Sequence, residues 1–388
     1  MSSPSESAVP SPTKPVTAIV PDRRTDIDLK QAQIAALLAE LEIEGLFLFE
    51  PENFSWFTAG ATPRGVLDPN QLPVLFLAGE VRCVLASNVD SQRLFDEELD
   101  GLGFQLKEWS WHVGRDPLIS YLCRGRKLGC DRPLPECKPV GDALRRLRRP
   151  ITGYEVTGYR QLGQLVSHAL EATCRQMAVK QTEQEIAGHL SHRVLKHGAE
   201  LVSVEVAADD RLRRFRRVAY TDAAVNRQCA ITATVRQAGL HATASRVVSF
   251  GPVDEALHRE HDAACKITAS YIAASWPDAL PGKLLQAGKR VYQINGAEHD
   301  WRHYPAGYLT GRAAVDQVLT AQTAEPIQPG WAITWQALLG GTISCDTFVV
   351  TPKGPLMLTA PGQWPKKRIR IHGANFDRPD ILQRGAGT

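Results

Sequence analysis

The spacing of apolar positions switches between a three-to-four and a two-residue period along the chain, and the switches mark its elements. Leu29, Ile34, Leu37, Leu38 and Leu41 share one face of a helix that begins at Asp26 and ends at Gly45. Residues 46–49 read as a short buried strand, and Asn53-Phe54-Ser55-Trp56-Phe57-Thr58-Ala59-Gly60 closes this first unit. Residues 73–78 and 81–86 are strand candidates joined by Gly79-Glu80 in a two-residue hairpin. A helix over 91–99, a strand over 105–109, a helix over 117–122 and a strand over 127–130 follow. The result is a mixed α/β domain over residues 23–150.

The second half opens on a longer helical pattern over 153–179, with Tyr154, Val156, Tyr159, Leu162, Leu165, Ala169, Leu170 and Cys174 as its apolar positions. Thr182 caps a second helix with an acidic first turn that runs to about His197. A strand over 202–207 leads into a polar, arginine-rich loop over 208–217. Two β-branched runs, 230–235 and 240–250, flank Gln237-Ala238-Gly239 and predict an antiparallel hairpin. Helices over 258–274 and 283–295 come next.

Composition changes this picture little. A chain of 388 residues with 43% hydrophobic content can bury a large core, and two domains are expected. A net charge of +3 is too mild to imply nucleic acid, and the basic clusters at 145–149, 213–217 and 366–370 read as solvated faces. None of the eight cysteines forms a CxxC pair, so a structural zinc site is not expected. Residues 1–22 are rich in Ser and Pro and are expected to be a disordered tail, and 363–388 a basic carboxy-terminal tail. No signal-peptide core and no apolar run of ~18–20 residues is found, so the expectation is a cytoplasmic protein with reduced thiols and no membrane partner.

The candidate chemistry lies in the hairpin and in three later stretches. The hairpin's turn glycine and following arginine, Gly239 and Arg246, resemble those of the creatinase, prolidase and methionine aminopeptidase superfamily. There, two Asp ligands sit on the paired strands. The matching positions here are Thr232 and Thr243, and no Asp or Glu occurs between Gln228 and Gly251. His303, in His299-Asp300-Trp301-Arg302-His303-Tyr304-Pro305-Ala306-Gly307-Tyr308, matches the superfamily's metal-binding histidine. Gln336 and Cys345 stand where the last two ligand glutamates are expected. Asn-Phe-Ser-Trp-Phe-Thr near the start and Asp210-Arg211 resemble a creatinase-like branch, and the chain departs from it at Phe215-Arg216-Arg217, where those relatives often have Phe-Arg-His-Pro.

The resemblance implies an α+β fold of two domains: an amino-terminal creatinase-like α/β lobe and a carboxy-terminal pita-bread domain over 151–362. It also implies a pair of divalent cations held by four carboxylates and one His. Thr232, Thr243, Gln336 and Cys345 supply no carboxylate, so no metal and no other cofactor is expected. Creatinase works without metal through a His, which makes His303 the candidate general acid and base. On this reading Arg246 binds a substrate carboxylate, and Tyr308, Gln336, Thr232, Thr243, Cys345 and Asp346 line the pocket. The bland readings pair Arg246 with Asp346 and Gln336 with Thr232, leave His303 packing or bonding to backbone, and make Cys345 an apolar filler. The functional expectation is a metal-free small-molecule (amide or guanidino) hydrolase or a noncatalytic pseudoenzyme. The alternatives are a metal-dependent aminopeptidase P or prolidase, and a protein-interaction module. A small molecule or peptide is the expected ligand, and a homodimer the expected assembly.

Overall fold

The first helix buries the face its apolar spacing predicts, except at Leu29. In the computed structural model, which describes residues 21–385, Ile27, Ile34, Leu37 and Leu38 enter the core while Leu29 is 60% exposed. Asp26 and Lys30 occupy the same buried stripe, and their charges hide their part of it from a reading based on apolar spacing. The tail expected over 1–22 lies outside the described residues, apart from Pro21 and Asp22 at the start of this helix.

In chain order the first lobe is α1 (Pro21–Leu41), β1 (Gly45–Leu48), α2 (Pro51–Phe57), β2 (Val74–Ala78), β3 (Val81–Ser87), α3 (Ser91–Leu94), β4 (Gln105–Trp109), α4 (Asp116–Cys123), β5 (Leu128–Cys130), β6 (Cys137–Pro139) and α5 (Gly141–Arg148). Its six strands form one mixed sheet in the order β4-β3-β2-β1-β5-β6. The Asn-Phe-Ser-Trp-Phe-Thr segment is helix α2, with Asn53 through Phe57 all buried.

The second lobe contains α6 (Gly153–Gln176), α7 (Glu183–Lys196), β7 (Glu200–Ala208), α8 (Arg211–Arg214), β8 (Gln228–Gln237), β9 (Leu240–Phe250), α9 (Glu255–Ala274), α10 (Pro281–Ile294) and strands β10 (Gly307–Thr310), β11 (Gln317–Val318), β12 (Ala332–Leu339), β13 (Thr342–Thr351) and β14 (Gly354–Met357). Thr152 with Glu155 and Thr182 with Glu185 form reciprocal capping boxes that start α6 and α7. One sheet runs β11-β10-β12-β13-β14. The stretch expected to be a basic tail instead adds a hairpin, β15 (Lys366–Ile371) and β16 (Ala374–Pro379), and β17 (Ile381–Arg384), which pairs parallel to β9 in the sheet β17-β9-β8-β7. The basic residues of β15 alternate with Ile369 and Ile371, a strand pattern that net charge obscures.

Each sheet of the second lobe has one face covered by helices. Leu162, Val166 and Leu170 of α6 pack on Ile231, Ala233, Ala244 and Val248 of β8 and β9. Ile267 and Tyr271 of α9 pack on Ile333, Trp335 and Phe348 of β12 and β13. The other faces meet where β9 lies beside β13. There the Thr243 amide donates to Thr347 Oγ1, and that hydroxyl donates to the Thr243 carbonyl, both at 2.9 Å.

The hairpin turn between β8 and β9 abuts the first lobe. Gly239 has φ +73°, and a Cβ there would lie 2.4 Å from Ser55 Oγ of α2. Gly239→Ala would meet both strained backbone and an occupied site, so it is expected to cost about 1–3 kcal/mol. Chemical denaturation would measure this. An unchanged midpoint would show that the lobes are not pressed together at this turn.

Candidate functional site

Strand alternation decides which side chains reach the shared face of the two sheets. Thr234 is directly opposite Thr243, and Thr232 opposite Ser245 and Glu205. On the second sheet Thr334 is opposite Thr347, and Gln336 opposite Cys345. Three rows cross the face. An apolar row holds Ala207, Ala230, Val247, Ile343 and Leu338, closed over by Leu212, Val218 and Leu257. A middle row holds Glu205, Thr232, Ser245, Cys345 and Gln336. A third holds Thr234, Thr243, Thr347, Thr334 and Tyr308.

The third row is bonded to itself. Thr234 and Thr243 hydroxyls are 2.9 Å apart, Thr334 and Thr347 hydroxyls 2.8 Å, and the Tyr308 hydroxyl donates to Thr243 Oγ1 at 3.2 Å. Thr243, Thr334, Thr347 and Tyr308 are buried. In the middle row Gln336 Nε2 donates to the Pro305 carbonyl at 2.9 Å, and Cys345 Sγ lies 3.9 Å from Gln336 Oε1. Gln336 does not pair with Thr232. Burial, with Glu205 next, pushes the Cys345 thiol well above its ordinary value, so it stays protonated and neutral. Burial likewise raises the Tyr308 phenol.

Several expected residues are placed elsewhere. Arg246 and Asp346 lie one residue out of phase with the shared face, so both point into the helix-covered layers. Arg246 is 1% exposed and bonds Glu171 of α6 at 3.0 Å and the Ser245 carbonyl at 2.8 Å; its fork is occupied and it does not pair with Asp346. Asp346 instead accepts from Thr359 Oγ1 at 2.7 Å and pairs with Arg378 of β16. His303 is exposed, next to the short turn Asp300–Arg302, and its ring has no hydrogen bond or ion pair among the described residues. His241, on the same side of β9 as Thr243, has its Nδ1 3.1 Å from the Gly311 carbonyl, and burial lowers it to about 4, leaving it neutral near pH 7.

Glu205, which no motif in the sequence singles out, also faces this row opposite Thr232. Its side chain is 16% exposed, and burial raises its carboxyl against the lowering effect of Arg217 and the Val218 amide. Arg217 reaches it only at 4.0 Å and is itself 78% exposed. The signal was the alternation within residues 202–207, which aligns Glu205 with Ala207 and hence with the inward row.

Prolidases and a Xaa-Pro dipeptidase share this architecture. The prolidase from Pyrococcus horikoshii OT3 superposes with a TM-score of 0.74 at 16% identity, covering 86% of this chain and 99% of that one. The Xaa-Pro dipeptidase from Bacillus anthracis gives 0.72 at 14%, covering 92% and 100%. This chain has the two-domain pita-bread fold of the prolidases. The N-terminal domain of FACT complex subunit SPT16 from chickpea is also similar, with a TM-score of 0.62 at 10% identity over 88% of this chain and 96% of that one. No protein-family model and no curated protein matches the sequence.

The pita-bread resemblance implies a pair of divalent cations at this face, and the side chains present do not fit them. The donors are five threonine hydroxyls, a serine hydroxyl, an amide, a neutral thiol and a phenol, several of them already bonded to one another. Four positive charges would face one carboxylate, Glu205, at the edge of the middle row. Burying such charge uncompensated costs many kcal/mol. Among the described residues, no three His, Cys, Asp or Glu side chains converge closely enough to hold a metal ion.

Proposed function

We propose that this chain is a metal-independent, noncatalytic binding protein built on the prolidase fold. The observation that carries this reading is that the positions where the resemblance calls for ligand carboxylates, Thr232, Thr243, Gln336 and Cys345, hold neutral side chains, with Thr243 tied into the hydroxyl network of Thr234, Thr334, Thr347 and Tyr308. Neutral hydroxyls bonded to one another cannot offset the charge of a cation pair and offer no activated group to a substrate. The exposed His303 supports the noncatalytic reading over a small-molecule hydrolase, because a general base needs a partner that orients it and a pocket that shields it. The test is hydrolysis of Xaa-Pro dipeptides, amides and guanidino compounds with and without added Mn²⁺ or Co²⁺. No turnover above buffer is expected under any condition, and metal-stimulated cleavage would refute the proposal.

A second reading, a protein-interaction module, draws support from the likeness to a domain of a chickpea complex subunit. Self-association belongs to the same proposal. Val89, Trp111 and Val113 of the first lobe are 69%, 61% and 58% exposed, which favours a partner there. A light-scattering mass of twice 42.7 kDa is expected, and a mass of one chain at micromolar concentration would count against it.

A further inference from the structure

A second concavity lies away from the shared face, on the outer surface of the second lobe. Helices α6 and α7 pack side by side over the helix-covered face of the β17-β9-β8-β7 sheet. Between them opens a groove with a volume of about 260 Å³. Its floor is apolar: Ala169 and Ala172 of α6 carry only methyl groups there, which leaves the space that longer side chains would fill. Its walls are basic. His168 stands on α6, and His192, Arg193, Lys196 and His197 stand on the last turns and cap of α7.

The helical repeat gathers these bases, because residues 192, 193 and 196 are three and four apart and share one side of α7. The acids of this helix, Glu183 and Glu185, sit in its first turn, and Glu183 is occupied by Arg211 at 2.9 Å. Among the described residues, no carboxylate lines the groove and none pairs with Arg193 or Lys196. The Arg193 guanidinium is held in place by neutral acceptors, the His189 carbonyl at 3.0 Å and Gln176 Oε1. Those two bonds leave others of its five N–H donors open. Cations at a helix carboxy-terminus also offset the helix dipole. That accounts for Arg193, Lys196 and His197, but not for His168, which comes from within the neighbouring helix, nor for the alanine floor.

We propose that this groove binds a small organic anion, a carboxylate or phosphate monoester carried on a flat apolar body. The body lies on Ala169 and Ala172 between the imidazole rings of His168 and His192, and the charge meets Arg193 and Lys196. The volume is just under the ~300–1,000 Å³ of drug-sized sites, which limits the body to about one ring. An inorganic anion would leave the floor unused, and a neutral ring would leave the cations unpaired. The site is separate from the hydroxyl-lined face, so it stands independently of the metal-independent reading of that face.

Titration of the full chain with phenyl phosphate and with benzoate, followed through the carbon-bound proton resonances of the histidine rings, tests the assignment. Inorganic phosphate and benzylammonium are the comparison ligands. Saturable binding of at least one organic anion is expected, with shifts at His168 and His192, whose resonances His168→Gln and His192→Gln identify by their loss. Lys196→Gln, at an exposed position, is expected to weaken binding at least fivefold. Ala172→Leu fills the floor while leaving every charge in place, and is expected to weaken it at least tenfold. The assignment is overturned if the wild-type chain binds neither organic anion, or if the shifts fall on other histidines. Binding of benzylammonium or inorganic phosphate as tight as that of phenyl phosphate, or full affinity in both Lys196→Gln and Ala172→Leu, would overturn it equally.

Discussion

Lys30→Met is expected to destabilise the protein by about 3–5 kcal/mol, because it breaks a buried ion cluster at the junction of the lobes. Lys30 Nζ lies 2.6 Å from Asp26, 2.8 Å from Glu155 and 2.8 Å from the Trp56 carbonyl, and Arg312 joins Glu155 from the far side at 2.5 Å. The four charged side chains are 1–2% exposed and sum to zero. Removing Lys30 leaves one negative charge uncompensated in a dry environment. Adding Asp26→Asn restores neutrality and keeps the Glu155–Arg312 pair, so the double variant is expected to regain much of the loss. Urea denaturation of the two single variants and the double would show this coupling; strictly additive effects would contradict it.

The same cluster sets a pH dependence. Burial alone would raise the Glu155 carboxyl, but Arg312 and Lys30 hold it at about 2, below its ordinary 4.5. A carboxyl depressed in the folded state contributes stability that is fully present above its unfolded value and is lost as pH falls through its folded value. The contribution of Glu155 is therefore intact above pH about 4.5 and fades between there and about 2.

Much of this architecture was legible in the sequence, and the failures share a cause. The hairpin, the Thr182 cap and the order of helices and strands follow from periodicity and local chemistry. Arg246 and Asp346 point away from the shared face because successive strand residues alternate sides, which a motif match alone does not encode. Thr243 and Arg246 are three apart on one strand, and Cys345 and Asp346 are neighbours, so each pair must face opposite ways. Glu205 escaped because its strand contributes through lateral pairing with Thr232, which no local motif encodes. Leu29 fits the apolar spacing yet is exposed, and the charges of Asp26 and Lys30 mask the positions that are buried beside it.

Ending the chain at Gly362 is expected to lower the melting temperature by roughly 10 °C or more, at about 2–4 °C per kcal/mol for a lobe of this size. It removes Arg378, the buried partner of Asp346, and leaves that fully buried carboxylate unpaired. Uncompensated buried charge of this kind costs about 3–5 kcal/mol. It also removes Trp364, Ile369 and Ile381 from the core and strand β17 from the edge of β9. Arg378→Met isolates the ionic part and is expected to show most of the loss. A truncated chain that melts with the full one would mean that residues 363–388 are a dispensable appendage.

The most direct test of the central claim is the metal content of the protein after incubation with excess Mn²⁺, Co²⁺ or Zn²⁺ and removal of free ions. A face of hydroxyls, an amide and a neutral thiol predicts well under one ion per chain, with no change in melting temperature. Two ions per chain, lost on replacing Thr243 or Gln336, would contradict it.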